Sequence, residues 1–136
     1  MAVDFRELRV WEEAMRLAEE VYALTTSFPA DERFGLTSQM RRAGVSVASC
    51  IAEGNGREMT RDYLRFLAMA KGSLSELHTQ LLLAERIGLA GAPAVDPLQQ
   101  RLTSVGLLLQ ALRRSLKAKL AQSSHSPFPI PHSPAP

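Results

Sequence analysis

Residues 60–87, TRDYLRFLAMAKGSLSELHTQLLLAERI, carry apolar side chains at alternating intervals of four and three residues. The members of this seam are Tyr63, Leu67, Ala70, Leu74, Leu77, Leu81 and Ala84. An α-helix turns once in about 3.6 residues, so this spacing places the whole seam on one helical face. The pattern predicts a long helix, with Thr60 as its N-cap, that buries this face against other helices.

A helix before this one is predicted from about Arg6 to Thr26. Asp4 and Glu7 form a capping pair at its start, and Phe28-Pro29 ends it. Its apolar face is wide, because two rows of side chains have helical spacing: Val10, Ala14, Leu17, Val21 and Leu24, and beside them Trp11, Met15, Ala18 and Tyr22.

Two more helices complete the pattern. One extends from about Gly35 to Glu53, where Gly54-Asn55-Gly56 is expected to stop it in a left-handed conformation. Its buried side is predicted to hold Leu36, Met40, Ala43, Val47, Cys50 and Ile51. The last begins at Asp96-Pro97, after a loop that contains Gly88 and residues 90–93, and ends near Gln122. Its predicted buried residues are Leu98, Leu102, Val105, Leu109, Leu112, Leu116 and Leu120.

Four amphipathic helices joined by short loops predict an all-α protein, an antiparallel up-and-down four-helix bundle over residues 1–122. Residues 123–136 are rich in proline and serine, so they predict a disordered tail. A role of this tail as a ligand for a proline-binding partner is the alternative interpretation.

Composition supports one globular domain in a reducing compartment. Apolar residues make up 46% of the chain, charged residues 22% and aromatic residues 6%. The one cysteine has no partner for an internal disulfide, and no apolar segment reaches the roughly 18 residues that span a bilayer. The N-terminus also has no signal-peptide core. We expect a cytoplasmic protein that does not interact with a membrane.

Charge is distributed unevenly although the net charge is only +2. Acidic residues outnumber basic ones up to Ala30, whereas from Leu89 to Gln122 five basic residues accompany the one acid Asp96. The basic cluster at the end of the fourth helix is the candidate for nucleic-acid binding: Arg113, Arg114, Lys117 and Lys119. The alternative is that these cations are solvated or pair with the acidic first helix.

A polar stripe follows the second helix at intervals of three and four residues. Its members are Gln39, Arg42, Ser46, Ser49 and Glu53, and Ser73, Glu76 and Gln80 form a similar row on the third helix. If the two rows face each other, they predict a hydrogen-bonded network around Arg42 and Glu53 that fixes helix register or a subunit interface. The alternative is a pair of ordinary solvated stripes.

Residues with the usual chemistry of active sites are not clustered. Gly54-Asn55-Gly56 has neither a preceding strand nor the Gly-Lys-Ser/Thr of a phosphate-binding loop, and His78 has no second ligand one turn away. Cys50 lies on the apolar side of its helix. We expect no catalytic residues, no metal, no cofactor and no small-molecule substrate, so the sequence does not predict an enzyme.

Several motifs together resemble a known family. They are Phe5–Trp11 (FRELRVW), Phe34–Ala43 (FGLTSQMRRA), Val45-Ser46, Ile51–Gly54 (IAEG), Arg57, Gly72–Leu77 (GSLSEL) and Gln80-Leu81. The chain resembles the small four-helix bundle proteins encoded in intervening sequences of bacterial 23S ribosomal RNA genes, closely over residues 5–89 and by pattern in the fourth helix.

The resemblance implies a homo-oligomer, most often a pentamer. It also implies a distant kinship to the accessory variability determinant of diversity-generating retroelements, a basic pentamer that binds nucleic acid and a reverse transcriptase. The family's characteristic polar positions correspond to Gln39, Arg42, Ser46, Glu53, Arg57 and Glu76. One departure is Cys50, which stands where the family usually has asparagine.

Two functional hypotheses follow. The first is a non-enzymatic oligomeric module that binds RNA or DNA through its basic surface. The second is a protein-interaction scaffold that does not bind nucleic acid.

Overall fold

Four helices form an antiparallel bundle in the computed structural model, which describes residues 3–124. They are α1 (Arg9–Thr25), α2 (Leu36–Asn55), α3 (Thr60–Arg86) and α4 (Ala92–Ser124). The described residues contain no strand, and two short 3-10 turns at Phe5–Glu7 and Ala30–Glu32 accompany the helices. Each helix packs against two neighbours in the order α1, α2, α3, α4 and back to α1, which confirms the predicted all-α up-and-down bundle.

The predicted seam of α3 is buried from Leu67 to Ala84, and Tyr63 at its start is half-buried. It meets the buried residues of the other helices, the largest of which are Leu17, Val21, Met40, Val47, Ile51, Val95, Val105 and Leu109. These side chains form one continuous core. Burial of a large aliphatic side chain contributes about 1.5–3 kcal/mol, so this core is the main stabilising element of the described fold.

The end of α4 is less buried than the sequence predicts. Leu112 and Leu116 pack against the core but stay partly exposed, because α1 begins at Arg9 and does not extend far enough to cover them. Arg101 of α4 lies beside Glu13 and Glu20 of α1. Because the two helices are antiparallel and rise by the same length per residue, the first residue of α1 is reached before α4 reaches Leu112. Among the described elements, α3 lies beside this end of α4, with Lys71 next to Arg113 and Lys117.

The start of α4 also differs from the prediction. The helix begins at Ala92, four residues before Asp96, and the Gly91 carbonyl accepts hydrogen bonds from Ala94 and Val95. Val95 is fully buried, so the early start brings one more apolar side chain into the core. Pro97 therefore lies inside the second helical turn and does not mark the first. At the other end α4 continues to Ser124, two residues into the predicted tail; residues 125–136 of that tail lie outside the described residues.

The other predicted helix ends are corrected by one to three residues. Asp4 does cap a free amide, that of Arg6, but this belongs to the 3-10 turn, and extended Leu8 separates the turn from α1. Met59 is the N-cap of α3, because its carbonyl accepts the first helical bond from Tyr63. Gly88, with φ of 83°, ends α3: the amide of Leu89 donates to the Ala84 carbonyl, as in a Schellman motif.

Gly54 has a different role from the predicted helix stop. It lies within α2, which continues to Asn55, and no described residue near it has a positive φ. A Cβ at Gly54 would lie 2.9 Å from the Phe66 Cβ and 3.0 Å from the Tyr63 Cδ1. The glycine is therefore required for the close approach of α2 and α3, and not for its backbone freedom.

Gly54→Ala tests this role. Overpacking at a site lined by backbone and Cβ atoms costs about 1–3 kcal/mol, which outweighs the gain of up to about 1 kcal/mol from replacing glycine in a helix. We expect Gly54→Ala to lower the free energy of unfolding measured by urea denaturation. The matched control is Gly72→Ala in α3, where a Cβ meets nothing within 4 Å and only the stabilising effect remains. Equal effects of the two substitutions would contradict the packing argument.

A second prediction concerns the ion pairs of Arg101, whose guanidinium contacts Glu13 at 2.8 Å and Glu20 at 2.9 Å. The Arg101 side chain is only 27% exposed, whereas the Arg16–Glu12 pair within α1 is exposed by half or more. We expect Arg101→Met to reduce the free energy of unfolding by about 1–2 kcal/mol, because it leaves two neighbouring carboxylates without a cation. The control Arg16→Met is expected to cost no more than about 0.5 kcal/mol. A loss no larger than that of the control would show that the ion pairs do not hold α1 against α4.

Candidate nucleic-acid interface

A groove of about 500 Å³ lies between α3 and the C-terminal half of α4. Four of its lining residues are cationic: Lys71 comes from α3, and Arg113, Arg114 and Lys117 come from α4. Arg113 and Lys117 are one helical turn apart and therefore lie on the same face. No acidic residue lines this groove. We call it the cationic groove.

The base of the cationic groove is apolar and close to the backbone of α4. Leu109 and Leu74 are both buried, and Gly106 has no side chain to fill the space. A Cβ at Gly106 would lie 3.5 Å from the Leu74 Cδ2, which is ordinary contact. Ser75 and Gln110 add neutral hydrogen-bonding groups at the sides. The groove therefore presents positively charged and polar side chains above the apolar core.

Arg113 has an unusual environment within this groove. Its Nε is buried and has no hydrogen-bond partner in the part of the chain that the structure describes. A buried donor without a partner costs on the order of 1–3 kcal/mol, so an acceptor that reached this atom would be favoured.

The structure brings together three of the four predicted nucleic-acid-binding residues. Arg113, Arg114 and Lys117 line the groove, whereas exposed Lys119 does not. Six residues separate Lys119 from Arg113, which turns it by about a third of the helix circumference to another side. Sequence reasoning missed Lys71, because a single lysine on α3 becomes significant only once the register of α3 against α4 is known.

The acidic first helix neutralises a different cation. Arg101 donates to Glu20 and Glu13, and these hydrogen bonds raise the pKa of Arg101 above its ordinary value. Among residues 3–124, no carboxylate forms an ion pair with any of the four lining cations of the cationic groove. Pairing with the acidic helix thus accounts for Arg101 and leaves the groove positively charged.

The predicted contact between the polar rows of α2 and α3 is present at one point. The hydroxyls of Ser46 and Ser73 lie 2.8 Å apart, and the Ser46 hydroxyl is 3.8 Å from the buried Cys50 thiol. Cys50 therefore takes part in a weak polar contact of this row. Gln80 is also buried, and its Oε1 has no hydrogen-bond partner among the described residues.

The charged members of the predicted network do not pair with each other within the chain. Arg42 and Glu53 are both exposed, and eleven residues of helix separate them by about 16 Å. Gln39 and Glu76 are exposed as well. In the described part of the chain, register between α2 and α3 is therefore fixed by apolar packing, the serine pair and the hydrogen bond that the Tyr63 hydroxyl donates to the Asn55 Oδ1. A role of the charged residues in a subunit interface stays a prediction.

Arg57, the remaining network residue, packs on an aromatic ring. Its guanidinium lies 4.5 Å from the centre of the Phe66 ring, and the Arg65 guanidinium lies 4.8 Å from the same centre. Such contacts stabilise by about 0.5–1 kcal/mol at exposed sites. Arg57 therefore supports the joint between α2 and α3.

An apolar groove of about 550 Å³ lies between α1 and α2 on the outside of the bundle. Its lining includes the predicted second row of α1 with Trp11, Met15 and Tyr22, and it continues to Val45 of α2. Val45 is 44% exposed, and Phe34 beyond it is 86% exposed. The sequence predicted that Tyr22 and its row contribute to the wide apolar face. Trp11 and Met15 are partly buried against the core, whereas Tyr22 stays 45% exposed. We call this groove between α1 and α2 the α1–α2 groove.

Metal-binding clusters and membrane-spanning helices are absent from the described range. No group of three or more His, Cys, Asp and Glu side chains within residues 3–124 is placed to hold a metal ion. None of the four described helices has the length and apolar character required to cross a membrane.

Comparisons with known proteins agree with the fold. A crystal structure of a protein of unknown function from the S23 ribosomal protein family of Bacteroides thetaiotaomicron superposes with a TM-score of 0.69. The two sequences are 19% identical, and the match covers 76% of this chain and 97% of the other. No curated protein matches the sequence.

The family assignment comes from the sequence model described as 23S rRNA-intervening sequence protein, which matches residues 6–111. This range includes α1, α2 and α3 and more than half of α4. The chain belongs to the 23S rRNA-intervening sequence protein family.

Proposed function

We propose that this chain is a non-enzymatic, cytoplasmic helical bundle that self-associates and binds RNA or DNA through the cationic groove. The observation that carries the proposal is the convergence of Lys71, Arg113, Arg114 and Lys117 on one groove that no acidic side chain lines. Clustered lysine and arginine side chains bind phosphates and release condensed counterions. Lys119, on another side of α4, adds positive charge beside the groove.

Self-association is supported by the α1–α2 groove. Its partly exposed apolar side chains, with Phe34 at one end, form an apolar surface that is available to a second subunit. Arg42 lines the adjoining pocket beside Phe34, so the polar stripe of α2 borders the same surface. A ring of subunits, five by the family resemblance, would repeat the cationic groove and raise the affinity for a long nucleic acid by multivalency.

A protein-interaction scaffold is the alternative, and the same α1–α2 groove favours it because an amphipathic helix of another protein fits an apolar groove. The two functions differ in which surface binds the partner. Binding of nucleic acid at the cationic groove distinguishes the first from the second.

The nucleic-acid proposal is tested with a triple variant, Arg113→Ala, Arg114→Ala and Lys117→Ala. We expect the affinity for a fluorescein-labelled RNA or DNA at low salt to fall at least tenfold by anisotropy. The slope of log K against log salt is expected to become shallower by about 0.7–0.9 for each phosphate contact removed.

The control for this experiment removes the same charge from other exposed positions, with Arg16→Ala, Arg61→Ala and Arg86→Ala. It is expected to retain most of the affinity, because none of these residues lines the cationic groove. Equal losses in both variants would assign binding to net charge and contradict the site. No binding by the unmodified chain at low salt would contradict the function itself.

Self-association is tested with Val45→Glu, which places a charge in the α1–α2 groove. We expect sedimentation equilibrium to show an assembly for the unmodified chain and a monomer for this variant, because burial of an unpaired carboxylate is unfavourable. Leu107→Glu is the control, since Leu107 is 63% exposed on α4 and lines neither groove. A monomeric unmodified chain, or dissociation by the control as well, would contradict this interface.

A further inference from the structure

We infer that residues 126–131 of one copy of the chain, SPFPIP, bind in the α1–α2 groove of a neighbouring copy. The inference rests on the proposed self-association and makes it more specific, because it names the segment that covers the groove. These residues follow α4 and lie outside the described range. The partner of the groove is therefore a second copy of this chain.

The lining of the α1–α2 groove suits an uncharged, apolar ligand. Apart from Glu19 and Ser49, its lining residues are aliphatic or aromatic, and no lysine or arginine is among the described residues that line it. Two aromatic side chains, Trp11 and Tyr22, belong to its α1 side. Grooves with aromatic side chains of this kind bind proline-rich segments.

Both aromatic rings are held in place before a ligand arrives. The Phe5 ring meets the Trp11 ring at an angle of 66°, with 5.2 Å between their centres. The Arg41 guanidinium lies 4.5 Å from the centre of the Tyr22 ring and also donates to the Thr25 hydroxyl. A groove whose rings are already fixed loses less conformational entropy when a ligand binds.

Residues 126–131 have the matching chemistry. Proline occupies every second position, at 127, 129 and 131, and the segment contains no charged side chain. The apolar residues Phe128 and Ile130 each precede a proline, which restricts both to extended conformations. Such a segment loses little conformational entropy on binding, and its backbone carbonyls can accept hydrogen bonds from an indole or a phenol.

The length of α4 places its end far from the groove of the same copy. Arg101 lies level with the part of α1 between Glu13 and Glu20. From Arg101 to Ser124 the helix rises by about 35 Å, whereas Trp11 lies only about 8 Å away in the same direction. The end of α4 is therefore about 26 Å beyond the nearer end of the α1–α2 groove.

The apolar pair of the segment is too close to α4 to return over this distance. Ile130 follows Ser124 by six residues, and a fully extended chain spans at most about 3.6 Å per residue, so Ile130 reaches about 22 Å. The segment would also have to pass around α1, which packs between α4 and α2. Phe128 and Ile130 can therefore enter the groove of a neighbouring copy and not their own.

The test uses a double variant of the full chain, Phe128→Asp with Ile130→Asp, which we call the tail variant. We expect its self-association, measured by sedimentation equilibrium, to be at least about tenfold weaker than that of the unmodified chain, because a carboxylate is unfavourable in an apolar groove. Trp11 is the one tryptophan of the chain, so its fluorescence reports on the groove. We expect acrylamide to quench this fluorescence more strongly in the tail variant.

The matched control adds the same charge beyond the segment, with Ser133→Asp and Ala135→Asp. It is expected to assemble like the unmodified chain and to keep Trp11 protected. If the tail variant assembled with unchanged affinity and unchanged quenching, or if the control weakened assembly equally, the inference would be wrong while self-association stands. A monomeric unmodified chain would instead contradict the proposed self-association itself.

A mixture of two variants tests whether the contact forms between copies. The tail variant has an intact groove, and Val45→Glu has an intact segment 126–131. At a concentration at which each variant alone is a monomer, we expect sedimentation velocity to show a one-to-one complex in the mixture. The absence of this complex, with both variants folded by circular dichroism, would overturn the inference.

A synthetic peptide of residues 124–133 tests the groove without any variant of the bundle. Added to the tail variant, this peptide is expected to lower the acrylamide quenching of Trp11 in a saturable manner, because it fills the unoccupied groove. The same peptide with Phe128→Asp and Ile130→Asp is the control and is expected to have no effect. Equal protection by both peptides, or protection by neither, would contradict the inference even if Val45→Glu did not fold.

Discussion

The packing of α3 between α2 and α4 determines where the functional side chains lie. Its apolar seam joins both neighbours in a single core, and the missing Cβ of Gly54 allows α2 to approach closely. The same register brings Ser46 to Ser73 on one side and Leu74 to Gly106 on the other. Lys71, one turn before Leu74, is thereby placed beside the cations of α4. A shift of α3 by one residue would turn these side chains away from one another.

The acidic residues of α1 and the cations of the cationic groove lie apart and do not pair with each other in the described residues. The carboxylates of Glu13 and Glu20 are used by Arg101 near the middle of the bundle, where the three groups hold α1 against α4. Because α1 ends its contact with α4 before the last turns, its acids do not reach Arg113 or Lys117. The cationic groove, beside the C-terminal half of α4, therefore keeps its positive charge without carboxylate partners among the described residues. This separation supports an anionic partner for the groove more directly than the small net charge does.

Much of the fold could be predicted from the sequence, because helix periodicity and burial are local patterns. The seam of α3 and the first buried rows of α1, α2 and α4 follow directly from spacings of three and four residues. Features that depend on contacts between helices could not be predicted in this way. The role of Gly54 depends on Phe66 and Tyr63, and the early start of α4 depends on the burial of Val95.

The candidate site shows the same division. Arg113, Arg114 and Lys117 form a local cluster that the sequence reveals, although the helical angle between Arg113 and Lys119 already sets Lys119 apart. Lys71 and the apolar floor are supplied by the pairing of two antiparallel helices, which no local pattern specifies. Within the polar stripe of α2, the Ser46 hydroxyl lies 2.8 Å from that of Ser73, whereas the charged members Arg42 and Glu53 are exposed.

The most direct test of the account is a nuclear magnetic resonance titration of the chain with a short RNA or DNA oligonucleotide. The account predicts that the resonances that shift on saturation cluster around Lys71, Arg113, Arg114 and Lys117, the cations that line the cationic groove. Unchanged resonances at these four residues, with shifts clustered around Trp11 and Val45 instead, would contradict it and move the binding surface to the α1–α2 groove.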